Sequence, residues 1–195
     1  MRTVGVGGLA TVAVVAVSFL ALAAGLPRPA RADTAAARAA EWLLGYRYVT
    51  STLHVSGRTV HARCFHGWFG GAARHAERGT LLQLSDGGSV RLLARTSRPV
   101  GYAIGSIAPS RLLAVAGCTD YLGPRLANAA TAGDVHARHV ELHERLVLAL
   151  RYADTSVLVS PRDDEPLAVR VAGMASDIRL MRLHAGTLHA LEAAR

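Results

Sequence analysis

TSVLVSPRDDEPLAVRVAGMASDIRLMRL, residues 155–183, carries the reading that decides the fold. Three runs rich in Val, Leu and Ile are separated by turn residues, the pattern of consecutive β-strands. TSVLVS and PLAVRVAG flank Pro161-Arg162-Asp163-Asp164-Glu165, a polar turn in which acidic side chains serve solvation and local hydrogen bonding. Leu167, Val169 and Val171 recur at every second residue and so share one face of a strand. Turns this short join only antiparallel neighbours.

The same pattern extends outward. VHARHVEL (135–142) and RLVLALRY (145–152) are predicted strands joined by His143-Glu144, which makes about five strands in the second half. In the first half, YRYVTSTLHVS (46–56) turns at Gly57 into RTVHARCFHGWF (58–69). A polar, Gly/Ala-rich connection follows, and then GTLLQLS (79–85) and SVRLLART (89–96) flank Asp86-Gly87-Gly88, a hairpin signal.

Helical signals interrupt these two groups. TAAARAAEWLLG (34–45) predicts a short amphipathic helix capped by Thr34 and ended by Gly45. After a loop from Pro99 to Ser110, SRLLAVAG predicts two turns with Ser110 as cap and Gly117 as stop. TDYLGPRLANAATAG (119–133) predicts a helix broken at Gly123-Pro124. HAGTLHALEAAR (184–195) predicts a frayed C-terminal helix. The fold class is therefore α+β. One curved antiparallel sheet in a meander has an apolar face to cover, and the helices at about 109–131 are the long element available to cover it.

The first residues set the address. Arg2 precedes Leu9–Leu26, an uncharged run, and Pro27 follows it. Ala30 and Ala32 form a small-x-small cleavage signal before Asp33. Residues 1–32 are read as a signal peptide and 33–195 as a single domain in the secreted or extracytoplasmic envelope compartment. Membrane contact would then come only through an uncleaved signal segment. Cys64 and Cys118, an even count in an exported chain, read as a disulfide closing a loop of about 54 residues, worth roughly 4 kcal/mol by loop entropy. Two buried free thiols are the alternative.

All 22 basic residues are arginine, against 14 acidic residues, for a net charge of +8. Discounting Arg2, Arg28 and Arg31 leaves 19 basic residues. The arginines read as scattered along the chain without aromatic partners. Nucleic-acid binding, which needs a stripe or cluster, is not expected, and only a weak attraction to anionic polymer or lipid headgroups remains.

The helix running into YRYVTSTLHVS, together with residues 155–183, resembles the periplasmic lipoprotein carriers, the N-terminal domain of the lipoprotein-sensing envelope-stress regulators, and the mycobacterial lipid-carrying lipoproteins. In that superfamily a strand ends in an acidic turn followed by Pro-Leu. The resemblance implies a half-open barrel closed by helices around an acyl-chain cavity. This chain departs from the pattern at Ser160–Pro166, which lacks the usual Asp and Thr-Gly arrangement, and it has no cysteine for lipid modification near the apolar run.

The expected function is an exported carrier or sensor holding a lipid, a lipoprotein acyl chain or another amphiphile. The alternative is a non-enzymatic interaction or regulatory protein with a filled core and an envelope protein partner. Cavity candidates are Leu82, Leu84, Val90 and Leu92 from the first hairpin, and Leu146, Leu148, Leu150, Val169 and Val171 from the second half. Leu112, Leu113, Val115, Tyr121 and Leu122 are the candidates in the lid. No catalytic residue, cofactor or metal is expected. His136, His139 and His143 have helical metal-ligand spacing, but on a strand His139 and His143 share one face and His136 takes the other, a poor arrangement for one ion. No Gly-x-Ser-x-Gly elbow or phosphate-binding loop is present.

Overall fold

The computed structural model describes residues 30–55, 57–69, 77–86, 89–94 and 107–187. The chain divides into two compact units, Met1–Ala30 and Arg31–Arg195, and the fold below is that of the second. The apolar run Leu9–Leu26 and the 184–195 helix beyond Thr187 lie outside the described residues. Among those described, no helix is long and apolar enough to cross a membrane.

Helix α1 (Ala30–Gly45) leads into β1 (Tyr48–Val55), β2 (Arg58–Phe69), β3 (Glu77–Asp86) and β4 (Ser89–Ala94). Helices α2 (Pro109–Val115) and α3 (Thr119–Ala132) follow. The second group is β5 (His136–Leu142), β6 (Arg145–Tyr152), β7 (Thr155–Val159), β8 (Pro166–Val171) and β9 (Met174–Met181). All nine strands form one curved, unclosed antiparallel sheet plus helices, the α+β half-barrel class expected from the sequence.

The strand order is β4-β3-β2-β1-β9-β8-β7-β6-β5, which is not one continuous meander. Two meanders meet where β1 pairs with β9, in the register Thr50↔Arg179 and Thr52↔Asp177. The chain leaves the sheet at the β4 edge and re-enters at the β5 edge, so α2 and α3 occur between the two edges in sequence.

Several local expectations change. Helix α1 begins at Ala30, so Thr34 lies inside it and does not cap it. Ala108, not Ser110, is the N-cap of α2, because Pro109 takes the first helical position where its missing N–H costs nothing. Gly117 (φ 74°) follows the C-cap Ala116, as expected for a helix stop. The helix expected to break at Gly123-Pro124 is continuous through Pro124. Gly123 is there for a different reason: a Cβ at that position would lie 3.0 Å from Leu44 Cδ2, so it lets α1 and α3 approach closely.

The β5–β6 turn is His143-Glu144, both at positive φ (48° and 63°), which matches the twist of a two-residue hairpin. His143 therefore sits in the turn and not on a strand face with His139. It reaches Asp177 on β9, with Nε2 3.1 Å from the carboxylate. The acidic turn between β7 and β8 does more than meet solvent. Asp164 is buried, at positive φ (60°), and accepts an ion pair from Arg38 of α1 at 3.1 Å. The indole N–H of Trp42 donates to the Asp163 carbonyl at 3.1 Å. Hydrogen bonding from the Ser160 hydroxyl holds the Asp163 carboxyl below its usual range.

Candidate functional site

The site begins with strand alternation. Val49, Ser51 and Leu53 of β1, Val60, Ala62 and Cys64 of β2, and Leu82 and Leu84 of β3 are buried at every second position. These residues, Ser51 apart, join one core cluster with Leu148 and Leu150 of β6 and with Val169 and Val171 of β8. The lid enters the same cluster through Leu112, Leu113 and Val115 of α2 and Leu122 of α3, with Tyr121 packed against it. Ten of the fourteen cavity candidates thus come together in the buried cluster, and they touch one another.

Leu146 does not belong there. It is 65% exposed near the tip of the β5–β6 hairpin, beyond the reach of β7, whose pairing with β6 starts at Leu148. Val90 and Leu92 pair in β4 with Ser85 and Gln83, but their side chains lie outside the described set.

Polar groups fasten the lid to this apolar face. Ser51 donates to the Ala116 carbonyl at 2.9 Å, and Ser176 donates to the Val115 carbonyl. The last carbonyls of a helix have no partner within it, and the two sheet hydroxyls supply one. Both serines occupy inward positions of central strands, so their alternation with buried apolar neighbours was the available sequence signal. The Cys64–Cys118 disulfide joins β2 to the residue preceding α3, with Cα atoms 5.4 Å apart. Beside it, Asp120 accepts from the Thr80 hydroxyl of β3, and its carboxylate lies 3.3 Å from His66 Nδ1.

Two features are not closed off in this way. Tyr152, on the inward face of β6, is 8% exposed, and its hydroxyl has no hydrogen-bond partner among the described residues. Burial pushes its pKa strongly upward, against a smaller lowering by Arg125. Arg125 itself lies 3.6 Å above the Tyr121 ring. The second feature is a largely apolar groove of 490 Å³ between α1 and α3, lined by Ala37, Ala40, Leu44, Ala127 and Ala130 together with Asp33, Thr34, Glu41 and Thr131. Leu44 is 55% exposed there.

His139 and His136 fall on opposite faces of β5, and His143 is engaged with Asp177. Among the described residues, no three His, Cys, Asp or Glu side chains come together as a metal-ligand set.

No protein-family model and no curated protein matches this chain. Among solved structures, the crystal structure of MucB is similar at 14% identity and a TM-score of 0.42, over 77% of this chain. The chain spans 62% of that structure's length.

Proposed function

We propose that this is an exported, non-enzymatic binding module that takes up the acyl chain of a lipid or lipoprotein at the edge of its helical lid. The observation that carries the reading is the 490 Å³ apolar groove between α1 and α3, with Leu44 exposed along it. Its volume lies in the range of small-molecule sites, about 300–1,000 Å³. Each methylene removed from water contributes about 0.8 kcal/mol, so a long chain can bind without side-chain chemistry. Export, read from residues 1–32, agrees with the disulfide, which persists in oxidising compartments.

A fluorescent fatty acid titrated into the protein tests this. Micromolar binding is expected, and Ala37→Trp, which fills the groove from an exposed helix position, should weaken it at least about tenfold. A protein that folds normally and binds no acyl probe would sink the reading.

The filled core favours a second reading. Because the inward side chains already pack against one another, the module can serve as a rigid envelope interaction or regulatory protein. Recovery of a single envelope protein on the immobilised domain, without co-purifying lipid, would favour it.

A further inference from the structure

The face of the sheet opposite the helices gathers arginine. Strand alternation and register place Arg63 of β2, Arg179 of β9, Arg170 of β8, Arg145 and Arg151 of β6 and Arg138 of β5 on that face. All six are exposed, and none has an acidic partner among the described residues. The residues that appeared scattered along the chain are therefore concentrated by the fold.

They are also grouped. One recess of 390 Å³ holds Arg63, Arg179, His61, Thr50 and Thr52. In it Thr50 stands between the two arginines, paired with Arg63 on one side and with Arg179 on the other. Its carboxylate, Asp177, is engaged by His143 at 3.1 Å. A second recess of 440 Å³ holds Arg138, Arg151 and His136, together with Asp134. Each recess thus presents two guanidiniums and an imidazole against one carboxylate. Arg170 stands on β8 between them in the strand order. In the strand order β9, β8 and β7 lie between β1 of the first recess and β6 of the second.

We infer that this face binds a phosphate-bearing polyanion, whose separate phosphates seat in the two recesses and pass Arg170 between them. Guanidinium forks match phosphate oxygens, and a tetrahedral phosphate offers more acceptors to the converging arginine and threonine donors than a carboxylate does. A flexible chain fits better than a bilayer surface. The charges sit in recesses, and among the described residues the exposed large apolar side chains, Leu44 and Leu146, lie in α1 and on the opposite strand face. Nucleic acid fits less well, because base stacking needs exposed aromatic rings and Tyr48 and Phe65 of this face are buried.

The test titrates the full-length protein with long-chain inorganic polyphosphate. Tripolyphosphate, polyglutamate and phosphatidylglycerol vesicles serve as comparison ligands. The long chain should bind well above tripolyphosphate, since only it reaches both recesses. Its affinity should fall on the order of 50-fold between about 50 and 200 mM salt if four charges are engaged. Arg63→Gln/Arg179→Gln and Arg138→Gln/Arg151→Gln should each weaken binding about tenfold, whereas Arg111→Gln/Arg125→Gln, with the same loss of charge on the helix side, should not. Thermal unfolding of each variant confirms that it is folded. Absence of polyphosphate binding, an equal loss in the helix-side variant, or polyglutamate or vesicles binding as tightly as polyphosphate would each overturn the inference.

Discussion

The two faces of the sheet are built from the same strands, one residue out of phase. On the helix side, Leu53, Leu82, Leu150 and Val169 are fully buried, and Ser51 and Ser176 among them donate to helix carbonyls. On the other side, Arg63, Arg170 and Arg179 stand in solvent and form no ion pair among the described residues. The difference is not absolute. Val147, Ala149, Leu158 and Ala168 have the outward parity yet are buried, with Val140 and Leu142 of β5 packed against them. His143 at the hairpin tip reaches past β7 and β8 to Asp177, so the β5–β6 hairpin folds over that part of the outer face. Parity assigns a side, and the tertiary cover decides what that side costs to disturb.

Substitutions can break this comparison. The largest effect should come from removing the lid's covalent tie. Cys64→Ser/Cys118→Ser is expected to lower stability by about 4 kcal/mol, read from denaturant unfolding under oxidising conditions. A loss below about 1 kcal/mol would mean that the lid is held by packing alone. Leu150→Ala on the helix side should cost about 3 kcal/mol. Leu158→Ala on the outer side should cost nearly as much, and a negligible loss there would show that the hairpin does not cover it.

Ser176→Ala strips the Val115 carbonyl of its donor in a buried seam and should cost about 1–2 kcal/mol by the same measurement. Tyr152→Phe tests the unpartnered hydroxyl. A tyrosine whose folded pKa is raised contributes stability that is complete below the unfolded value near 10 and declines as pH rises above it. The variant should match or exceed the parent at neutral pH and lose less stability above about pH 10. Equal alkaline profiles would contradict the placement of that hydroxyl. Arg170→Gln, at the other extreme, should change stability by less than about 0.5 kcal/mol, as exposed positions do.

Much of this was legible in residue patterns. The nine strands follow the period-2 runs, and the disulfide joins the two cysteines that the even count pairs. The cavity candidates were found as apolar positions with the right parity, but nothing in that pattern says whether such residues enclose space or fill it. Gly123-Pro124 reads as a break because proline removes an interior N–H, yet α3 runs through Pro124 and Gly123 serves close packing on Leu44. Ser51 and Ser176 went unremarked because a hydroxyl among buried neighbours has no visible partner until the helix is in place.

By itself, then, the sequence determined the elements, their antiparallel joins and the parity of each side chain, since these depend on neighbours a few residues apart. The tertiary structure decided the meeting of β1 with β9, the closing of the lid on Ser51, Ser176 and Cys64, and the gathering of distant arginines on one face. Each of those joins residues far apart in the chain, with Arg63 and Arg179 flanking Thr50 only because the two meanders pair, and local pattern carries no record of such pairings.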